Sequence, residues 1–459
     1  MTTSTHAVPS VEAFGYKQEL KRSLTLSDLL VYGLVFITPI APIPVFGIVY
    51  NASHGMAPLI YLVGLIAMLF IALSYMSLSR AFPVAGSVYT YAARSIGPAA
   101  GFIAGWAILL DYLLLPALAY VACAIAMQSM LPLVPKPVWV VALICLATLI
   151  NYFGIALTAR MSFIMLGIQV VLLGIFMSVG VHALYHQVGG AQLSLAPFYN
   201  PAELTPSLIF GALSLAVLSF LGFDAISTLS EETTGGSHTV SRATMLSLCI
   251  SALLFVAQTY LASLFVLGRT GFAPGDETDT AFYSIAMTLG GDSLKFLIAV
   301  PGVVFAGFAG ALTAQAATAR LLYAMARDGQ LPRQLAHVHP VRRVPDRAIF
   351  LIAAITLVLG IWLVDELELL ASMVSFGALL GFVMLQLSMM VHFLWRERSR
   401  DWLRHLVVPV IGLVIIVYVL VNAQADAKIA GAAWMIAGLG LFAGLKLTGR
   451  STTVLVDKP

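Results

Sequence analysis

Two aspartates lie inside otherwise apolar stretches of the sequence, where a carboxyl group can do chemistry. Asp111 follows the run 108–110 and precedes Tyr112, whereas Asp224 ends the run 220–224, Phe-Leu-Gly-Phe-Asp, and neither stretch contains Lys or Arg. A carboxylate at the centre of a bilayer costs about 2.5–3.5 kcal/mol and faces the bundle interior or a wet cavity. One interpretation is a protonated, hydrogen-bonded structural residue. The other, which we favour, is that Asp111 and Asp224 meet a cationic substrate, a transported proton, or both.

Aromatic residues accompany both acids. Tyr112 adjoins Asp111, and Phe220 and Phe223 flank Gly222 just before the second acid. Aromatic faces attract ammonium groups, and the attraction reaches about 2 kcal/mol or more when water is excluded. Most aromatic residues of the chain are expected to pack or to face lipid, but these three are predicted to line a binding site.

The composition determines which elements position these residues. Of 459 residues, 60% are apolar and 10% charged, with a mean hydropathy of +0.97. Because soluble domains are about a quarter charged, this composition excludes a soluble enzyme, a disordered protein and a nucleic-acid binder. The cysteines lie in apolar stretches and the histidines in loops or helix ends, so no metal site, cofactor, disulfide framework or intramembrane catalytic pair is predicted. The sequence indicates an integral membrane protein that is not an enzyme.

Spanning helices are predicted from the apolar stretches, since a bilayer crossing needs about 20 apolar residues. Twelve stretches meet this requirement, at roughly residues 26–50, 58–80, 97–130, 137–156, 160–184, 206–229, 242–267, 293–323, 347–364, 367–394, 405–423 and 430–447. Residues 1–25 are read as an uncleaved tail rather than a signal peptide, and residues 448–459 as a second tail.

The basic residues predict the orientation. Of the 24 lysines and arginines, 20 fall in one alternating set of connections and 4 in the other. Because cytoplasmic loops retain Lys and Arg, both termini are predicted to be cytoplasmic.

Two of the stretches are interrupted at matching positions. The first contains Pro39, Pro42 and Pro44, which lack backbone donors, and the sixth contains Gly222. Interrupted helices at corresponding places in two halves are typical of the binding site of inverted-repeat transporters. This interpretation predicts two five-helix repeats, residues 26–184 and 206–394, with two appended helices at 405–447. Ordinary proline kinks are the alternative.

Three further segments resemble the amino acid–polyamine–organocation permeases. They are Arg320–Pro332 followed by His337–Pro340, Phe82–Tyr91, and Ser219–Asp224 continuing to Ser230–Thr233. The resemblance covers about residues 20–450. Together with Gly105-Trp106, Asp111-Tyr112 and Pro116, the sequence is similar to bacterial putrescine importers.

The resemblance implies the leucine-transporter fold, an all-α membrane protein of twelve helices with helices one and six broken. It also implies a bacterial inner-membrane location and a substrate held between the broken helices. The implied substrate-binding residues are Thr38, Pro39, Ile40, Ala41, Asp111, Tyr112, Phe220, Gly222, Phe223, Asp224 and Phe376.

The predicted substrate carries amines and no carboxylate. Many relatives hold a substrate carboxylate on a glycine-rich helix one, but residues 38–44 contain no glycine and three prolines. Two carboxylates would balance the two ammonium groups of a diamine. We therefore predict uptake of putrescine or a related polyamine; the alternative is a permease for a zwitterionic or cationic amino acid.

Coupling and gating are predicted at separate residues. Protons carried by Asp224 or Asp111 are favoured as the driving ion, because the hydroxyls of Thr313 and Thr318 are not the adjacent pair that a sodium site uses. Glu231 and Glu232, with Arg242 nearby in sequence, are predicted to form an inner gate; a solvated charge pair is the alternative.

Overall fold

The structure is a computed structural model, and it describes Glu12 and residues 19–131, 133–269, 271–299, 303–423 and 425–447. These residues form sixteen α-helices: α1 (Leu26–Ile37), α2 (Pro42–Ala52), α3 (Ala57–Ala81), α4 (Ser87–Ser95), α5 (Pro98–Met130), α6 (Lys136–Phe153), α7 (Ile155–Tyr185), α8 (Pro206–Ala216), α9 (Gly236–Leu264), α10 (Asp276–Asp279), α11 (Ala281–Leu297), α12 (Val303–Arg327), α13 (Asp346–Trp362), α14 (Leu367–Met390), α15 (Val408–Val421) and α16 (Ala425–Leu447). The predicted tail 448–459 and most of the tail 1–25 lie outside the described residues.

The lengths and hydropathies of the helices indicate a membrane protein. Within the described residues, seven helices are long and apolar enough to cross a bilayer, or up to nine if each of two bent helix pairs is one span. The other three predicted stretches overlap α12, α13 and α16, and the first of them, 293–323, begins inside α11. Helix α12 carries Thr313, Gln315, Thr318 and Arg320, all buried, so its polar side chains face protein rather than lipid.

The first bent pair is α1 and α2, which meet at 53° around residues 38–41. Pro42 opens α2 at a position where a missing backbone donor costs nothing. Thr38 adopts a positive φ of 65°, which a β-branched residue rarely does, so the chain turns sharply here. The predicted interruption of helix one is confirmed.

The second bent pair consists of Pro206–Leu213, the first part of α8, and the run of 3₁₀ turns Val217–Glu232, with an angle of 51° between the two segments. The turns occupy Val217–Phe220 and Phe223–Glu232, and the break between them falls at Leu221 and Gly222. Gly222 has a φ of 109°, and a Cβ there would collide with the ring of Phe36. Glycine is therefore required both for the turn and for the approach of α1.

Helices α5, α14 and α16 pack together beside the broken helices. The indole of Trp106 donates to the carbonyl of Trp434 (2.8 Å), the indole of Trp434 donates to the carbonyl of Trp106 (2.7 Å), and the two rings stack at 4.6 Å. A Cβ at Gly438 would collide with Trp106, so the small residue allows this close packing.

Candidate functional site

Asp224 lies just after the second break, and its carboxylate is almost fully buried. Its Oδ2 accepts a hydrogen bond from the hydroxyl of Tyr112 on α5 (2.6 Å) and a longer one from the hydroxyl of Tyr75 on α3 (3.4 Å). Its Oδ1 has no hydrogen-bond partner of ordinary geometry among the described residues. Three elements therefore converge on one carboxylate: α3, α5 and the turn that carries Asp224.

Asp111, one residue before Tyr112, is also buried, and its Oδ1 likewise has no hydrogen-bond partner in the described part of the chain. The next residue, Tyr112, donates its hydroxyl to Asp224 (2.6 Å), so the chain segment that carries Asp111 contacts the element that carries Asp224. A Cβ added to Gly377 of α14 would lie 2.7 Å from the backbone nitrogen of Asp111, so the two helices touch here. The structure thus brings both predicted acids into one region.

The aromatic residues divide into two groups around the second break. The ring of Phe223 packs against Tyr75 (5.9 Å) and Phe382 of α14 (5.9 Å), next to Asp224. The ring of Phe220 turns away from Asp224 toward Phe255 of α9 (5.3 Å) and Tyr61 of α3 (6.0 Å). Phe223 therefore lines the acid site, and Phe220 connects the break to the neighbouring helices.

The predicted backbone site Thr38, Pro39, Ile40 and Ala41 forms the first break. It adjoins the second through Phe36, whose ring lies against Gly222 and 6.4 Å from the ring of Tyr112. The two breaks, Tyr112 and Asp224 are therefore neighbours, and Asp111 adjoins Tyr112 in sequence.

Phe376 is not brought to this site. Its ring lies against Gly431 of α16, where an added Cβ would overlap it. The phenyl ring fills the contact between α14 and α16, and the adjacent Gly377 is the residue that faces Asp111.

The two predicted gate acids are fully buried and each pairs with an arginine of α12. Glu231 binds both terminal nitrogens of Arg327, at 2.8 and 3.0 Å, and its Oε1 also accepts from the backbone N–H of Ala85 (3.0 Å). Glu232 forms a bidentate pair with Arg320, whose guanidinium is also buried. The predicted partner, Arg242, is solvent-exposed near the start of α9, so that prediction is corrected: α12 supplies the positive charges.

The chain preceding α1 covers these ion pairs. The backbone N–H groups of Ser23 and Leu24 donate to the carbonyl of Glu232 (2.9 and 3.0 Å), and Thr234 donates back to Leu24 (2.9 Å). The carboxylate of Glu19 accepts from the hydroxyl of Tyr323 on α12 (3.0 Å). This end of the bundle is closed by hydrogen bonds and charge pairs.

The hydroxyls considered for sodium are engaged within the bundle. Thr313 donates to carbonyls of its own helix, at Gly310 (2.9 Å) and Ala309 (3.1 Å). Thr318 donates to the carbonyl of Tyr112 (2.5 Å) and so ties α12 to the acid-bearing helix. Within the described residues, no group of three His, Cys, Asp or Glu side chains is placed to hold a metal ion.

Sequence reasoning missed several residues of the site. Tyr75 and Phe382 carry no signal that separates them from other aromatics in apolar helices. Arg320 and Arg327 did carry one, because they lie in the segment that resembles the permeases. Buried arginines need acidic partners, and the adjacent Glu231 and Glu232 supply them.

Apolar helices, two of them broken beside buried acids, define a multi-pass membrane protein of the transporter class. The chain belongs to the amino acid permease family, whose model matches residues 27–442. It is 33% identical to the low-affinity putrescine importer PlaP of Escherichia coli K12, over 92% of this chain and 93% of that protein. It is also 25% identical to the branched-chain amino acid permease BcaP of Bacillus subtilis, over 94% of each chain. A methylthioribose transporter of B. subtilis is 24% identical over 83% of each chain.

Proposed function

We propose that the protein is a secondary active transporter that imports putrescine or a related polyamine by alternating access. The observation that carries this proposal is the buried pair of acids beside the two breaks. Neither Asp111 nor Asp224 belongs to an ion pair among the described residues. A buried carboxylate without a positively charged partner is costly, and a cationic guest that donates hydrogen bonds offsets the cost. The similarity to a putrescine importer supports the same substrate class.

The proposed architecture has twelve spanning helices. Residues 26–184 and 206–394 would form the inverted repeats, and residues 405–447 the two added helices. Both termini would lie in the cytoplasm of a bacterial cell, with the protein in the inner membrane. The two bent pairs, at 53° and 51°, support this arrangement because they fall at the first helix of each proposed repeat.

Protons are the proposed driving ion, with Asp224 or Asp111 as the carrier. A carboxyl group in a dry site can bind a proton in one state of the transporter and release it in another. Glu231 and Glu232 would act as the inner gate through their pairs with Arg327 and Arg320. Opening that end requires both pairs to separate, so the conformational change is coupled to solvation of these charges.

A permease for a zwitterionic or cationic amino acid is the second candidate. It is favoured by the similarity to a branched-chain amino acid permease over 94% of the chain. An amino acid also carries an ammonium group for Asp224, but its carboxylate would need donors at the first break. Prolines remove backbone N–H groups there, at residues 39, 42 and 44.

Uptake into proteoliposomes tests the proposal. Labelled putrescine should accumulate faster with an inward proton gradient, and unlabelled putrescine should compete better than lysine, ornithine or leucine. Asp224→Asn should abolish uptake while the purified protein elutes normally from size exclusion. Competition by an amino acid equal to that of putrescine would favour the second candidate, and full activity of the Asp224→Asn variant would refute the site.

A further inference from the structure

The first break frees backbone carbonyls that an uninterrupted helix would pair. The carbonyl of Val35 accepts from the hydroxyl of Thr38 (3.1 Å), because Pro39 has no N–H to offer. The carbonyl of Thr38 accepts from the N–H of Ala41 (2.8 Å), and the carbonyl of Ile40 accepts from the N–H of Ile43 (3.0 Å). These three carbonyls are satisfied by the broken segment itself.

The carbonyl of Pro39 is paired differently. Its ordinary helical donor, the N–H of Ile43, is used by Ile40. The side chain of Gln258 on α9 donates instead, from Nε2 at 2.9 Å. Gln258 is fully buried and is 219 residues away in sequence, so the shape of the first break depends on a residue from another helix.

The orientation of the Gln258 amide is determined by its surroundings. Nε2 also donates to the carbonyl of Leu254 (3.0 Å), and two carbonyl oxygens can be bonded only by the nitrogen end of the amide. The oxygen Oε1 is therefore left as an acceptor, and it has no partner among the described residues. A fully buried acceptor without a hydrogen-bond donor is unfavourable until a donor reaches it.

Helix α9 also contacts the second break. Phe255, three residues before Gln258 and on the same face, packs on Phe220 with ring centroids 5.3 Å apart. Phe220 is two residues before Gly222 and four before Asp224. The unpaired oxygen thus belongs to a helix that is tied to both breaks.

We infer that Gln258 is a substrate-recognition residue whose Oε1 accepts a hydrogen bond from a second ammonium group of the substrate. In this arrangement one ammonium meets the acid pair and the other meets Gln258 Oε1, while Nε2 holds the first break in shape. A diamine satisfies both ends, whereas butylamine, which has the same carbon chain and a single amine, leaves Oε1 unpaired. This inference rests on the proposed function, because it requires an amine substrate.

The test compares putrescine with butylamine as competitors of labelled putrescine uptake. Gln258→Met keeps the length of the side chain and removes both hydrogen-bonding groups. We expect the variant to weaken competition by putrescine about tenfold or more, which is the loss expected for a hydrogen bond to a charged group. Competition by butylamine should stay within about twofold of the wild-type value. Size exclusion and a thermal unfolding scan establish that the variant is folded.

Gln386→Met is the matched control. Gln386 is a fully buried glutamine on α14 whose Oε1 accepts from Ser74 (2.6 Å) and whose Nε2 lacks a partner in the described chain. It therefore reproduces the structural cost of losing a buried amide without touching the first break. Putrescine and butylamine should change by the same factor in this variant.

A second variant separates the recognition of the substrate by Oε1 from the support that Nε2 gives to the first break. Gln258→Glu keeps an acceptor oxygen and loses the amide donor to Pro39, so the preference for putrescine should survive while the maximal rate falls. If Gln258→Met does not fold, the selectivity of this variant decides the question, and loss of the preference would contradict the inference.

The outcomes distinguish a failure of the proposed function from a failure of the role assigned to Gln258. Wild-type protein that binds neither amine refutes the proposed function and this inference with it. The inference alone is refuted if the wild-type protein prefers putrescine and the Gln258→Met variant keeps that preference. It is also refuted if competition by both amines falls equally in the variant.

Discussion

The two tyrosines that reach Asp224 offer a graded test of the site. Both hydroxyls bond the same oxygen, Oδ2, but the distance is 2.6 Å for Tyr112 and 3.4 Å for Tyr75. A short hydrogen bond to a charged group contributes about 1.5–3 kcal/mol, and a long one contributes much less. Replacing each tyrosine by phenylalanine removes one hydroxyl and leaves the ring packing in place.

We expect Tyr112→Phe to lower kcat/KM for putrescine about 10- to 100-fold, since about 1.4 kcal/mol corresponds to a factor of ten. A buried carboxylate that loses its strongest donor is held less firmly in its charged form, and it attracts a cation less. Tyr75→Phe should change kcat/KM by less than about threefold. Because both are Tyr-to-Phe changes at buried positions, each serves as the other's structural control.

The assay is the initial rate of labelled putrescine uptake into proteoliposomes over a concentration series. Reconstituted amounts are matched by quantitative immunoblot, and unfolding temperatures in detergent are compared. Equal losses in the two variants, or a larger loss for Tyr75→Phe, would refute the assignment of Tyr112 as the principal donor to Asp224.

Asp111→Asn should weaken competition by putrescine and by butylamine by similar factors in the same assay, because both amines place an ammonium at the acid pair; unchanged competition by both amines would show that Asp111 does not contact the substrate. Glu232→Gln should lower the thermal unfolding temperature, since breaking a buried ion pair costs about 3–5 kcal/mol. Replacing both Glu232 and Arg320 by leucine should restore the unfolding temperature but not transport if the pair is a gate. Restoration of transport as well as stability would contradict that role. Gly222→Ala should destabilise the protein, because its φ of 109° and its contact with α1 exclude a side chain. Gly211→Ala, in the same broken helix with nothing within 4 Å of an added Cβ, should leave the unfolding temperature unchanged or higher.

The features that sequence predicts best here are those with a strong local cause. Pro39 and Pro42 remove backbone donors, and Gly222 permits a positive φ, so both breaks appear where the sequence predicts them. Asp111 and Asp224 are conspicuous because charges are rare in apolar stretches. Each of these signals is contained within a few consecutive residues.

The features that sequence misses depend on which face of a helix meets which neighbour. Helix α5 is apolar on all sides, so its pattern cannot tell that Trp106 faces α16 and Asp111 faces the interior. For the same reason the sequence does not indicate that Tyr75 on α3 reaches Asp224. It also predicts Phe376 at the substrate site, whereas its ring packs against α16. Arg242 is the arginine nearest to the gate acids in sequence, whereas Arg320 is 88 residues from Glu232 and is its partner in space.

The reciprocal tryptophan bonds between α5 and α16 constrain how the molecule can move. Each indole satisfies the other helix's backbone, so sliding one helix past the other would break two hydrogen bonds and a ring stack at once. We therefore expect α5 and α16 to move together as one unit. In the proposed alternating-access cycle, we expect the broken helices to move against that unit.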